Sequence, residues 1–176
     1  MIMSTLSTPL SPEDIERLAA QLQEQLRAGL TVGDILGVTE SELEAAYTIA
    51  HRFYEIADYA QAERMFSLLM VNDPFDKRFG FSLAAALQMQ GQYDDAIVRY
   101  GMSAMLDPSD PKPSYHMAEC LLHKGQREDA LDMLTQCLER AQGPEHEDLR
   151  HRTLALQQLL RTAPASESTS PSPSRK

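Results

Sequence analysis

A chain of 176 residues, 43% hydrophobic with a mean hydropathy of −0.36, is sized for one folded domain with a buried core. Its formal net charge of −10 excludes nucleic acid as a natural partner, because phosphate binding rests on clustered Lys and Arg. No apolar run nears the roughly 20 residues that span a bilayer, and the start lacks the positive charge and apolar stretch of a secretory signal, so no membrane partner is expected.

Residues 1–10 differ in composition from the central part of the chain and are expected to be disordered. Ser11-Pro12-Glu13-Asp14 then opens a helix over 12–28, with proline at the first helical position and acids at the positive end of the dipole. Ile15, Leu18, Ala19, Leu22 and Leu26 give it one apolar stripe. Gly29 and Gly33 interrupt. Thr39-x-x-Glu42 is a capping box, in which hydroxyl and carboxylate satisfy each other's backbone amides, and it opens the next helix. Residues 1–42 hold seven acids against Arg17 and Arg27, which solubility explains.

From Leu43 a period of 34 residues takes over. Tyr59 and Tyr93, Pro74 and Pro108, and Gly91 and Gly125 are each separated by it, and Ala62, Ala96 and Ala130 step by it twice. This is the period of the tetratricopeptide repeat, a helical hairpin that hides its apolar face by stacking on a neighbour. The register is 43–76, 77–110 and 111–144. Alanine at position 8 (Ala50, Ala84, Ala118) and position 20 (Ala62, Ala96, Ala130) permits close helix crossing, and Phe66, Tyr100 and Leu134 at position 24 fill the gap to the next unit. Pro74 and Pro108 end the second helices, and Gly143-Pro144 does so late in the third unit. The consensus aromatic at position 4 is replaced by Ala46, Gly80 and Ser114.

A helix over 145–161, with Leu149, Leu156, Leu159 and Leu160 on one side, is expected to cap the last repeat. The Ser/Pro-rich tail, 163–176, is too poor in apolar residues to fold alone and is expected to be disordered. The predicted fold is therefore all-α. Three tandem tetratricopeptide repeats form a right-handed superhelix within a domain of residues 11–162, between an N-terminal helix and a C-terminal capping helix.

In this repeat the first helix lines the concave surface through positions 2, 5, 9, 12 and 13. The first unit places Glu44, Tyr47, His51, Tyr54 and Glu55 there, the second Arg78, Phe81, Ala85, Gln88 and Met89, and the third Lys112, Tyr115, Glu119, Leu122 and His123. Position 5 is aromatic in all three, a row suited to apolar side chains of an extended or helical peptide. Met65, Met70, Met102 and Met105 lie on second helices and are expected to pack internally, with Met89 in the groove.

Chemistry has little to rest on. Cys120 and Cys137 fit reduced, buried thiols of a cytosolic protein. His116, Glu119, Cys120 and His123 are close in sequence, but a structural zinc site needs four ligands and no further one is offered, so neither metal nor cofactor is expected. No third group orients a Cys-His nucleophile, and Gly29-x-x-x-Gly33 lacks the Lys-Ser/Thr of a phosphate loop, so the chain is not expected to be an enzyme.

The runs Ala57-Asp58-Tyr59-x-x-Ala62, Gly91-Gln92-Tyr93-Asp94-x-Ala96-Ile97 and especially His116-x-Ala118-Glu119-Cys120-Leu121-Leu122-x-Lys124-Gly125 resemble the class II chaperones of bacterial type III secretion systems. The resemblance covers about residues 10–160. It implies a cytoplasmic chaperone whose groove holds an extended N-terminal segment of a hydrophobic translocator protein before export. It also implies that Tyr47, His51 and Tyr54 match family groove positions, His51 standing where relatives often carry an aromatic. The stripe on helix 12–28, having no assigned partner, suggests a homodimer. The alternative is a generic tetratricopeptide-repeat adaptor. A clamp for a C-terminal carboxylate would need Lys and Asn where Tyr47 and His51 stand.

Overall fold

The computed structural model describes residues 11–162. The disorder expected of residues 1–10 and 163–176 lies outside the described residues. All regular structure among the described residues is helical, and they fall into two compact units, one ending at Leu106 and the other starting at Asp107.

The first unit contains α1 (Pro12–Arg27), α2 (Val32–Leu36), α3 (Glu40–Glu55), α4 (Tyr59–Asn72), α5 (Lys77–Met89) and α6 (Tyr93–Leu106). The capping box at the start of α3 is present: the Glu42 amide donates to Thr39 Oγ1 and the Thr39 amide to Glu42 Oε2. Helices α3 and α4 form one hairpin and α5 and α6 the next, with α4 packed against α5. Ala50, Ala62, Phe66, Ala84, Ala96 and Tyr100, the small and large positions of the period, are all fully buried.

One element was absent from the sequence expectation. Where Gly29 and Gly33 are expected only to interrupt the chain, Thr31 caps the short helix α2 with a capping box closed by Asp34. Gly33 lies inside that helix against the end of α4. A Cβ there would sit 3.0 Å from the Asn72 carbonyl oxygen, so this glycine serves a close approach rather than a break. The stripe of α1 lies open, with Ile15, Leu18, Leu22 and Leu26 each about half exposed.

The second unit holds α7 (Lys112–His123), α8 (Arg127–Arg140), a 3₁₀ turn (Pro144–His146) and α9 (Glu147–Thr162). Gly143 and Pro144 turn the chain as expected, but proline at the first position starts a 3₁₀ turn, so the α-helix begins at Glu147. Helix α9 packs on α8 through Leu149, Thr153 and Gln157, at spacing i, i+4, i+8. The leucine face expected there is only partly used, since Leu159 is 62% exposed. Buried polar groups take its place because each is satisfied. Thr153 Oγ1 donates to the Leu149 carbonyl at 2.6 Å and lies 3.5 Å from Cys137 Sγ, and Gln157 Nε2 donates to Thr135 Oγ1 at 3.1 Å.

Candidate peptide-binding face

In the first unit, side chains of α3 and α5 meet and tie the two hairpins together. Tyr47 is the centre of the cluster. Its hydroxyl lies 3.1 Å from Ser82 Oγ, and its ring centroid is 4.4 Å from His51, 5.5 Å from Phe79 and 5.9 Å from Phe66. Above it the Arg78 guanidinium sits 5.0 Å from the ring centroid, a cation–π distance. The same guanidinium pairs with Glu44 at 3.1 Å and with Asp76 at 2.7 Å. Glu44 and Arg78 are one repeat period apart, so this bridge links equivalent positions of consecutive hairpins. Burial pushes the Asp76 carboxyl up, but hydrogen bonds from the Arg78 side chain and amide, with its charge, outweigh this and hold it below the usual range.

The remaining residues expected on this face surround that cluster. Tyr54 is half-buried, edge-on to Tyr59 at 5.3 Å; Phe81 is half-buried, edge-on to Tyr100 at 5.2 Å. Tyr100 donates its hydroxyl proton to Gln88 Oε1 at 2.8 Å, which turns Gln88 toward the hairpin interior. Ala85 is half-buried, Glu44 and Glu55 are exposed and Met89 is 50% exposed. A cavity of about 260 Å³ adjoins Glu44 and Asp76 and is otherwise lined by Thr31, Asp34, Glu40 and Phe79, among others, so this end of the face is acidic.

Ser82 was missed by sequence reasoning. It occupies position 6 of its repeat, outside the expected lining set, and the one available signal was a hydroxyl among the Phe, Leu and Ala residues of α5. Folding brings it to 3.1 Å from Tyr47 and 3.5 Å from His51 Nε2.

The second unit differs. Lys112 and His123 are exposed, Leu122 is half-buried, and Glu119 accepts from or pairs with His116 Nδ1 at 2.9 Å. Tyr115 is only 7% exposed, with the Arg152 guanidinium of α9 5.3 Å from its ring centroid. Burial, with the nearby Glu119 charge, pushes its phenol up. Of the three position-5 aromatics, Tyr47 and Phe81 are half-buried, whereas Tyr115 is buried with the Arg152 guanidinium over its ring. Cys120 and Cys137 are free and buried, and burial with the Glu119 charge pushes the Cys120 thiol up to about 12, so it is inert near neutral pH.

The methionines correct a second expectation. Met65 and Met70 are half-buried, but Met105 is 81% exposed and Met102 is exposed too. The reason is helical phase: α6 buries Ala96, Tyr100 and Ser103, and Val98, Met102 and Met105 follow the same i, i+4, i+7 spacing two residues later, on the opposite face. Leu68 and Val71 on α4 are exposed at the equivalent repeat positions of Met102 and Met105. Among the described residues no group of three or more His, Cys, Asp and Glu is arranged to hold a metal, and no helix is long and apolar enough to cross a membrane.

A tetratricopeptide-repeat family model matches residues 87–152. The low calcium response locus protein H of Yersinia pestis is 31% identical over 93 residues, 53% of this chain and 55% of that protein, so the match spans about half the length of this curated relative. The solved type III secretion translocator chaperone SycD of Yersinia enterocolitica is 34% identical, with a TM-score of 0.70 over 73% of this chain and 96% of SycD. SycD bound to a peptide of the translocator YopD superimposes with a TM-score of 0.68 at 34% identity, over 70% of this chain and 95% of that one, and SycD is also known as an alternative dimer. Three helical hairpins with flanking helices, an aromatic cluster across the first two, and this identity along nearly the whole of SycD lead to one conclusion: the chain belongs to the tetratricopeptide-repeat translocator chaperones of type III secretion systems.

Proposed function

We propose that this chain binds a hydrophobic type III translocator in the bacterial cytoplasm and keeps it soluble until export, holding an extended segment of it against the face formed by α3 and α5. The observation that carries the reading is the likeness to SycD in complex with a translocator peptide. The physical logic is independent of the likeness. A protein destined for a membrane exposes apolar segments that aggregate in water, and a partner that covers them favours the dispersed state by mass action. Such a role needs no enzymatic step and no cofactor. Half-buried Tyr47, Tyr54 and Phe81 supply apolar contact area with limited rotamer entropy to lose, and Glu44, His51, Ala85 and Met89 complete the proposed lining, with Gln88 turned inward to Tyr100. On α7 of the second unit, Lys112, Glu119, Leu122 and His123 hold repeat positions 2, 9, 12 and 13, those expected to face a peptide.

The exposed α1 stripe of Ile15, Leu18, Leu22 and Leu26 supports a second element of the proposal, a homodimer through this helix. The binding test is size-exclusion chromatography with light scattering of the full chain, alone and with a translocator co-expressed from the same secretion system. A complex that keeps the translocator in the soluble fraction is expected. Precipitation of the translocator at the same rate with and without the chain would overturn the reading, and an α1 deletion that leaves the mass of the free chain unchanged would remove the dimer.

A further inference from the structure

We propose that Tyr47, Ser82 and His51 form a polar notch among the aromatic rings of the α3–α5 face, which selects a hydrogen-bonding side chain, best a neutral amide, at one position of the bound segment. The proposal rests on the binding role above and specifies one subsite of it. The three polar groups lie together, with Tyr47 Oη 3.1 Å from Ser82 Oγ and Ser82 Oγ 3.5 Å from His51 Nε2. Their immediate setting is aromatic: Phe66 and Phe79, fully or almost fully buried, stand beside Tyr47, Phe66 also meets His51, and Ser82 itself is 6% exposed.

Counting donors shows why the notch has capacity left. Two hydroxyls and an imidazole carry at least three N–H or O–H donors, and the two contacts among them use two at most. The Ser82–His51 contact is at the distance limit for a hydrogen bond, so the imidazole in particular is incompletely satisfied from within the chain. His51 also has little freedom to turn away. Its ring stands edge-on to Tyr47 at 4.4 Å and to Phe66 at 5.3 Å, which fixes its plane while leaving the ring half-buried at the face. An apolar side chain lodged there would seal these donors and acceptors from water without replacing the bonds, whereas an Asn or Gln amide offers both a donor and an acceptor. A site built this way discriminates against the occupant that lacks the polar group.

The test uses the full chain and the YopD peptide, with each peptide residue replaced singly by Asn and binding followed by fluorescence anisotropy. The proteins compared are the unaltered chain, His51→Phe, Ser82→Ala and the hydrogen-bonding variant His51→Gln, each checked for native helicity by circular dichroism. One peptide position is expected at which Asn is favoured on the order of tenfold by the unaltered chain and by His51→Gln, relative to His51→Phe and Ser82→Ala. Elsewhere the profiles should coincide. Identical profiles for all four proteins would overturn the notch while leaving the binding role standing. Failure of the unaltered chain to bind any peptide of the set would overturn the binding role and the notch with it.

Discussion

Tyr47 and Tyr115 occupy the same position of their repeats, two periods apart, yet one is half-open on the α3–α5 face and the other is buried beneath Arg152. The difference comes from neighbours rather than from the residue. Tyr47 is flanked by Arg78, which is held in place by Glu44 and Asp76, and by His51, Phe66 and Phe79, and its ring stays half-buried. Tyr115 is met by α9, a helix outside the repeats. Periodicity assigns a side chain to a helix face, but what lies over that face is decided by whatever packs next.

The largest expected effect breaks the symmetry directly. Tyr115→Ala should lose about 3–4 kcal/mol of stability in urea unfolding, the cost of truncating a buried aromatic, whereas Tyr47→Ala should lose less than half of that. Equal losses would mean that both rings are core. Tyr47→Ala should instead weaken translocator-peptide binding by about 1–3 kcal/mol in titration calorimetry, the hot-spot range, with helicity unchanged. A third substitution compares the turns between helices. Ala57, Gly91 and Gly125 share one repeat position and one left-handed conformation (φ 62°, 75° and 75°), and each is followed by an amide donating five residues back: Asp58 to Phe53, Gln92 to Leu87 and Gln126 to Leu121. Ala57→Gly should raise stability by about 1 kcal/mol, because only alanine strains that conformation, as thermal unfolding would register. The smallest effect concerns Arg78. Asp76 titrates below its ordinary range, so its pairing stabilises the fold above the unfolded value near 4 and is lost as pH falls through the lower folded value. Carbon-detected NMR titration should show the Asp76 midpoint rising in Arg78→Ala.

Much of the fold is legible in the sequence. The alanines at positions 8 and 20 and the large residues at position 24 are buried because small and large side chains at fixed spacing dictate where helices cross. The cap formed by Thr39 and Glu42 arises from local chemistry alone. The features that sequence does not reveal depend on contacts between distant segments. Gly33 reads as a breaker until α4 is placed against it, and Ser82 reads as an incidental core hydroxyl until Tyr47 and His51 converge on it. For Met102 and Met105 residue type misleads, whereas the phase of α6 relative to Ala96 and Tyr100 already turns them outward.

The central claim is that the α3–α5 face, and not the exposed apolar stripe of α4 and α6, receives the translocator segment. Titrating the YopD peptide into the isotope-labelled chain and following amide chemical shifts tests it most directly. The account predicts the largest perturbations at Tyr47, His51, Phe81 and Ser82; perturbations concentrated at Leu68, Val71, Val98 and Met105, with the α3–α5 signals unmoved, would contradict it.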